Sequence, residues 1–293
     1  MRVSVVIPAY NAEATLAECL RALAHQSLPA SAYEVILVDD GSQDATAEIA
    51  RRYGVQLITQ PNRGAPAARN RGIDAAKASW VAFTDADCIP SRGWLKALLA
   101  SVEWDAAETP LGAAGRTLGH GSVGPAARFV DLSGGLDAEH YLSHPRFPFA
   151  PSCNLIYRRD LLMRAGGLDE RFHTYDACDL HTRLRRLANG PMLLAPRAVV
   201  LHRHRADWRG YFRQQRGYGY GYGQFAWRHR DVIHWPIGRE LGEWGRVARL
   251  GIQAALPGDN DQTLLRRGVF AKALAQRLGF VAAYYDPRER RRW

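Results

Sequence analysis

Short apolar runs alternate with helical patterns along the first hundred residues. Each run is rich in β-branched residues and stops at a proline or a polar residue. The segments between the runs carry apolar residues at intervals of three and four. Fully apolar strands that alternate with helices are typical of a parallel sheet covered on both faces. The predicted strands are 3–7, 35–38, 55–59 and 80–84, and the predicted helices are 12–25, 44–53 and 65–77.

The pattern is less regular from residue 105 onward. Short apolar runs predict further strands, a mobile stretch is expected after residue 118, and the chain is helical, aromatic and basic from Trp208 on. Glycine and tyrosine alternate from Gly217 to Gly223. This repeat predicts either a flexible loop whose tyrosines can stack on a ligand or a packed helix terminus. The later predicted strands are 113–118, 149–157 and 198–201, and the later predicted helices are 160–164 and 176–188.

Composition indicates a globular protein. The chain has 293 residues, of which 47% are hydrophobic and 23% charged, enough for one large domain or a domain with an accessory segment. No apolar run reaches the roughly 18 residues that a membrane-spanning helix needs. The four cysteines form no CxxC pair, so the spacing favours neither a zinc knuckle nor a disulfide framework. These features together predict a reduced, cytoplasmic protein.

The positive charge is concentrated in the last third of the chain. Residues 197–293 carry 19 basic and 8 acidic side chains, whereas residues 1–196 carry 20 basic and 21 acidic ones. A basic, aromatic segment suits the anionic inner face of the cytoplasmic membrane. It equally suits helices that pack together and leave a solvated basic face. Nucleic acid is not an expected partner, because no nucleic-acid-binding motif accompanies the charge.

Acidic residues follow two of the predicted strands. Asp85 and Asp87 come directly after one, and two carboxylates at this spacing can hold Mg²⁺ or Mn²⁺ against substrate phosphates. An ordinary solvated turn has the same pattern. Asp39 and Asp40 follow another strand and can accept a hydrogen bond from a nucleobase N–H, or simply form a capping loop. Because parallel strands end at one edge of a sheet, these groups are expected to converge there.

Basic residues and a predicted helix start lie between these acidic motifs. Arg63, Arg69 and Arg71 surround the beginning of the helix predicted at 65–77. A helix N-terminus and a guanidinium both suit a diphosphate. A solvated helix face is the alternative, favoured for Arg63 and Arg71 more than for Arg69.

In order and spacing, these motifs resemble family 2 glycosyltransferases over roughly residues 1–205. The resemblance implies the GT-A fold, a Rossmann-like, mainly parallel sheet flanked by helices, as a catalytic domain at 1–205 with a basic helical extension at 206–293. It also implies inverting sugar transfer from a nucleotide sugar, commonly a UDP-sugar, with Mn²⁺ or Mg²⁺. The acceptor would be a hydroxyl on a cell-envelope glycan or a lipid-linked oligosaccharide. The motifs are VVIPAYN at 5–11, VDDGS at 38–42, ARNxG at 68–72, DxD at 85–87, SCNLI at 152–156, GGLDERF at 166–172 and DLxxR at 179–183.

Positions carried over from the family give a candidate site. Asp87 is implied as a metal ligand, and His202 resembles a histidine that approaches the metal or the diphosphate, although a hydrogen-bonded histidine at a domain edge is the alternative. The residues implied in donor binding are Pro8, Ala9, Tyr10, Asn11, Asp39, Asp40, Arg69, Asp85, Ala86 and Asn154.

The general base is the least regular position. Inversion needs a group that takes the proton from the acceptor hydroxyl, and Ala177 stands where the family usually has an aspartate. Asp176 is the first choice and Asp179 the second, although Asp179 can instead be a structural partner of Arg183. Ala177 also keeps open a non-catalytic nucleotide-sugar-binding or scaffold protein. A nucleotidyltransferase is a further alternative, but the loop after the first strand lacks the glycines and lysine it needs.

Overall fold

The computed structural model describes residues 1–102, 110–121, 123–136, 138–172, 174–291 and 293. These residues form two compact units. The sheet unit comprises Met1–His120, Leu136–Glu170 and Ala177–Arg203. The helical unit comprises Gly121–Gly135, Arg171–Asp176 and His204–Trp293. Two short segments from the first two hundred residues therefore belong to the helical unit, and the functional division into 1–205 and 206–293 stays a prediction.

The described part of the sheet unit contains one sheet of eight strands. Their order across the sheet is β3-β2-β1-β4-β7-β6-β8-β5. Strands β1 to β4 pair in parallel, as do β6 and β8, whereas β7 and β5 run antiparallel to their neighbours. The expected mixed, mainly parallel α/β fold with a helical extension is confirmed. The strands are β1 Val3–Ala9, β2 Tyr33–Asp39, β3 Gln56–Thr59, β4 Trp80–Phe83, β5 Cys88–Pro90, β6 Gly112–Gly119, β7 Leu155–Arg158 and β8 Met192–His202.

Helices occur in both units. The long helices that end the chain belong to the helical unit, and α8 starts at Asp176, the last residue of a helical-unit segment. The helices are α1 Leu16–Ala24, α2 Thr46–Arg52, α3 Ala65–Ala75, α4 Trp94–Val102, α5 Pro125–Leu132, α6 Ala138–Leu142, α7 Arg159–Arg164, α8 Asp176–Leu187, α9 Trp208–Arg228, α10 Ile237–Ala255, α11 Asn260–Tyr284 and α12 Pro287–Arg290.

The sheet separates two apolar clusters. Successive side chains of a strand point to opposite faces, so Val5 and Ile7 of β1 join one cluster and Val6 joins the other. The first cluster includes Trp94 of α4, and the second includes Leu184 of α8. Both faces of the central strands are therefore covered, as their unbroken apolar sequences predict.

Several predicted elements differ from the structure. The strand expected at 149–157 begins only at Leu155, and the strand expected at 198–201 is the end of the longer β8. Neither β5 nor α4 was predicted. The stretch after residue 118, expected to be mobile, contains α5 and α6. Residues 103–109, which include the start of the stretch with the less regular pattern, lie outside the described residues.

The prediction of a flexible loop for the glycine–tyrosine repeat is wrong, because the repeat lies within α9. A Cβ on Gly219 would lie 1.9 Å from the carbonyl oxygen of Gln276, and one on Gly279 would lie 2.0 Å from that of Arg216. These glycines let α9 and α11 approach backbone to backbone. The repeat therefore serves helix packing.

Within the described residues, no helix combines the length and the apolar character needed to cross a bilayer.

The first testable prediction concerns His181 and acid stability. His181 is buried in α8, and burial together with nearby Arg185 lowers the pKa of its imidazole to about 4. Since the unfolded chain titrates near 6.5, protons bind preferentially to the unfolded state as pH falls from 6.5 towards 4. The free energy of unfolding should drop through this window by about 2–3 kcal/mol on this account.

Urea unfolding followed by tryptophan fluorescence at about pH 7.5 and about pH 4.5 measures this loss. His181→Gln should lose about 2 kcal/mol less between these two pH values than the unsubstituted chain does. An equal loss in both proteins would contradict the assignment.

Candidate active site

Hydrogen bonds join the loops that follow β1 and β2. Asn11 adopts left-handed backbone geometry with φ 48°, and its N–H donates to Ser42 Oγ at 2.9 Å. Its side-chain Oδ1 accepts from the Gln43 N–H, also at 2.9 Å. The Asp40 N–H donates to the carbonyl of Ala9 at 2.8 Å. These bonds hold the two loops together at the carboxyl edge of the sheet, and Asn11 makes two of them.

Asp40 organises the loop that leads into α3. Its carboxylate is buried and accepts from Gln60 Nε2 at 2.7 Å, from the Arg63 N–H at 2.9 Å and from the Gly64 N–H at 2.8 Å. Three donors hold both carboxylate oxygens in place. Asp40 thus fixes the start of α3, the helix end that suits an anion.

Asp39 lies beside it under different constraints. Its carboxylate accepts from the Ser42 N–H at 3.0 Å, across a turn in which Gly41 has φ +80°. A Cβ on Gly41 would lie 2.9 Å from the Asn62 backbone nitrogen. The turn therefore needs glycine both for its positive φ and for this close approach. With fewer protein donors than Asp40, Asp39 is the better placed of the two to accept a nucleobase N–H.

The end of β1 offers an aromatic side chain near these carboxylates, because Ala9 pairs with Asp39 in the sheet. Tyr10 is 51% exposed, so its ring can stack on a planar base. Ala9 is buried and contributes its backbone carbonyl, while Pro8 is half-buried in the strand. Only Tyr10 among these three presents a large exposed side chain.

Arg69 and Asp85 form an ion pair at 2.8 Å. Arg69 comes from α3 and is 6% exposed, while the Asp85 side chain after β4 is 29% exposed. The guanidinium fixes the direction of the carboxylate and adds positive charge near the start of α3. Ala86, the residue after Asp85, is buried. The arrangement suits a ligand that carries both hydroxyls and phosphates.

The predicted metal ligands come together. In the register of β5 with β8, Cys88 stands opposite His202, and His202 Nε2 lies 3.7 Å from Asp87 Oδ2. A carboxylate oxygen and an imidazole nitrogen are donors that Mn²⁺ accepts. The residues present therefore fit a divalent ion.

Cys88 completes a cluster whose ligand atoms lie within 4.8 Å of one another. A hydrogen bond with Cys153, with burial as the next cause, raises the pKa of the Cys88 thiol well above its usual value. A protonated thiol is a poor ligand for a hard cation. Asp87 and His202 are the better pair.

The Asn154 side chain makes structural hydrogen bonds, and its assignment to donor binding stays a prediction. Its side chain is buried, its Oδ1 accepts from Trp94 Nε1 at 2.8 Å, and its Nδ2 donates to the carbonyls of Arg116 at 2.9 Å and Ala198 at 3.0 Å. Both ends of the side-chain amide are therefore held by groups of the protein.

The structure likewise favours a structural role for Asp179. Its carboxylate is fully buried and pairs with Arg183 Nε at 2.7 Å. Arg183 also donates to the carbonyls of Ala165 at 2.6 Å and Gly167 at 2.8 Å. The pair ties α8 to the turn after α7.

Asp176 is the first residue of α8 and is buried. It ends the helical-unit segment Arg171–Asp176, which packs on α9. Thr174 Oγ1 donates to the Gly217 carbonyl at 3.0 Å, and Tyr175 stacks on Tyr222 with ring centroids 5.5 Å apart. The residues of α9 therefore set the position of the segment that carries Asp176.

Sequence reasoning missed this supporting role of α9. A Cβ on Gly221 would lie 2.1 Å from Thr174 Oγ1 and 2.5 Å from the Thr174 carbonyl oxygen, whereas one on Gly217 would meet open space. The signal was present as glycines at intervals of two and four. Its meaning depended on knowing that the repeat is helical.

Comparisons with known proteins agree on one family. The model of the family described as Glycosyl transferase family 2 matches residues 4–166. Glycosyltransferase AglE of Haloferax volcanii is 32% identical over 194 residues, 61% of this chain and 59% of AglE. The pre-mycofactocin glycosyltransferase of Mycobacterium tuberculosis is 30% identical over 237 residues, 78% of this chain and 48% of that protein. The chain thus spans about half the length of these curated relatives.

A solved structure supports the fold. The mannosyltransferase PcManGT from Pyrobaculum calidifontis, in complex with GDP-Man and Mn²⁺, superposes with a TM-score of 0.67 at 21% identity, covering 98% of this chain and 88% of that one. At this identity the likeness shows the fold alone.

The contrast between Gly221 and Gly217 gives a second prediction. Gly221→Ala should lower the free energy of unfolding by about 1–3 kcal/mol, because the added methyl overlaps Thr174. Gly217→Ala is the matched control in the same helix, and its better helix propensity should leave stability unchanged or raise it by up to about 1 kcal/mol. Chemical unfolding followed by circular dichroism measures both. A Gly221→Ala protein as stable as the control would disprove the packing.

Proposed function

Because the chain belongs to glycosyl transferase family 2, we propose that it transfers a sugar from a nucleotide-sugar donor to an acceptor hydroxyl with inversion at the anomeric carbon. The observation that carries this proposal is the pairing of Asp87 with His202, 3.7 Å apart. The pair joins the DxD motif to the end of β8 within the sheet unit, which also supplies Tyr10, Asp39 and Arg69.

These side chains divide the work of holding the donor. The Tyr10 ring would stack on the nucleobase, and Asp39 would accept from a base N–H. Asp85, oriented by Arg69, would accept from hydroxyls of the ribose or the sugar. The start of α3, fixed by the hydrogen bonds to Asp40, would face the diphosphate.

Asp87 and His202 would hold Mn²⁺ or Mg²⁺. When bound, the ion neutralises the charge that develops on the leaving diphosphate. The Mn²⁺ in the Pyrobaculum mannosyltransferase complex supports this proposal. The protein's own contribution is to keep a carboxylate and an imidazole at a fixed separation through the β5–β8 pairing.

Asp176 is the proposed general base. It would take the proton from the acceptor hydroxyl as that oxygen attacks the anomeric carbon. Two observations support Asp176 over Asp179: it stands next to Ala177, where the family usually has its base, and Asp179 is engaged with Arg183. The packing of segment Arg171–Asp176 on α9 would keep the base from drifting.

The donor and acceptor classes rest on likeness. A UDP-sugar is proposed because the family commonly uses one, while GDP-Man in the Pyrobaculum complex makes a GDP-sugar the first alternative. The proposed acceptor is a cell-envelope glycan or a lipid-linked oligosaccharide. The cytoplasmic location expected from the sequence stays a prediction.

The third prediction tests the metal pair. Calorimetric titration with UDP-, GDP- and dTDP-sugars should show binding that strengthens with Mn²⁺. Asp87→Asn should abolish this metal dependence and reduce turnover by about a hundredfold or more. Asp74→Asn, on the exposed face of α3, is the matched control and should behave as the unsubstituted protein. Metal-dependent binding that persists in Asp87→Asn would sink the assignment.

The fourth prediction separates the two candidate bases. Asp176→Asn should fold and bind the donor normally but lose about 10²–10⁴ in turnover. Asp179→Asn should instead lose stability, by about 1–3 kcal/mol, because the half-buried Arg183 would lose its carboxylate partner. Full turnover in Asp176→Asn would refute the base assignment. Donor binding without turnover in the unsubstituted chain, across a panel of acceptors, would favour the non-catalytic alternative.

A further inference from the structure

The outer side of α10 exposes large apolar side chains. Ile237 is 71% exposed, Leu241 65% and Ile252 68%, and Leu256 just after the helix is 51% exposed. Among the described residues, only Val123 is a more exposed large hydrophobic residue than these first three. The exposure is therefore concentrated on one element of the helical unit.

These side chains lie on one face. At about 100° per residue, Leu241, Ala248 and Ile252 fall within roughly 60° of Ile237 around the helix axis. The helix has 19 residues and is about 28 Å long. It presents a narrow apolar stripe along this length.

Exposed arginines lie beside the stripe and further round the helix. Arg249 is about 60° from Ile252 around the axis, and Arg246 and Arg239 are about 120° and 140° from it. The two glutamates of α10 lie elsewhere: Glu240 is buried and pairs with Arg277 at 2.8 Å, and Glu243 pairs with Arg246 at 2.9 Å. The exposed residues of this helix thus include arginines and no carboxylate.

Three glycines adjoin the stripe without a packing reason in the described part of the chain. A Cβ on Gly238, Gly242 or Gly245 would meet nothing within 4 Å, whereas one on Gly251 would contact Phe270 at 3.2 Å. Glycine weakens a helix, so three open glycines are unfavourable for the isolated fold. They make this face low and smooth, which suits a flat partner.

We propose that the outer face of α10 binds an anionic lipid bilayer, with the helix lying in the plane of the headgroups. Ile237, Leu241 and Ile252 would enter the boundary of the acyl chains, and Arg249 beside the stripe would contact anionic headgroups. A second copy of this chain is the competing occupant of an apolar face. The exposed residues of α10 include arginines and no carboxylate, and this charge complements anionic headgroups, which favours the bilayer. The inference does not depend on the proposed glycosyl transfer.

Vesicle sedimentation tests the proposal. The full chain should sediment with phosphatidylcholine vesicles that contain phosphatidylglycerol and bind much less to pure phosphatidylcholine. The double variant Leu241→Gln/Ile252→Gln should lower the partition coefficient about tenfold or more. Val123→Gln, an exposed apolar position outside α10, is the matched control and should bind as the unsubstituted chain. Arg246→Gln/Arg249→Gln should reduce the preference for phosphatidylglycerol.

Two outcomes would overturn the proposal. One is equal vesicle binding by the Leu241→Gln/Ile252→Gln protein and the control. The other is a dimer, seen by light scattering without lipid, that this double variant dissociates. Binding is measured without donor or acceptor, and calorimetry with nucleotide sugars runs in parallel on the same proteins. Failure of membrane binding is thereby distinguished from failure of the proposed enzymatic function.

Discussion

A bulge in the pairing of β6 with β8 sets the register that brings His202 beside Asp87. Gly115 pairs with Ala195, but Arg116 pairs with Val199, so β8 carries three extra residues at this point. The Asn154 amide donates to the carbonyls of Arg116 and Ala198 beside the bulge. The amide thus supplies donors to two carbonyls where the ladder between the strands is interrupted. The shifted register then carries β8 on to His202, opposite Cys88 and beside Asp87.

The donor side of the site depends on a second polar arrangement. The side chains of Asn11, Asp39 and Asp40 accept hydrogen bonds from the backbone of neighbouring loops. Loops tied in this way lose little conformational freedom when a ligand arrives, which is the physical benefit of preorganisation. Several motif residues that look like ligand contacts in the sequence therefore act first as scaffolding, and the ligand meets the groups they leave exposed.

The sequence predicts the parts of this protein that depend on local pattern. The apolar runs of β1, β2 and β4 and the convergence of Asp39, Asp85 and Asp87 follow from periodicity and parallel-sheet geometry. The pairing of Asp87 with His202 came from family likeness, since more than a hundred residues separate them. Neither the bulge nor the hydrogen bonds of Asn154 could be predicted, because the sequence does not show whether an asparagine amide is buried or faces a ligand. The three-residue β5 was missed because so short a strand is defined by its partner.

The basic residues of the last third likewise show that the sequence does not separate buried from exposed side chains. Some of the charge packs inside the helical unit: Arg277 is buried and lies 4.0 Å from the Phe280 ring centre, and Arg290 lies 4.5 Å from that of Trp227. Such arginines pack flat on aromatic faces and stabilise helices rather than attract a partner. A count of basic residues cannot separate them from the arginines that border α10. Solvent exposure in the structure can separate them, because the arginines of α10 are exposed on a helix that also carries an outward-facing apolar stripe. That combination marks the outer face of α10 as the proposed binding surface.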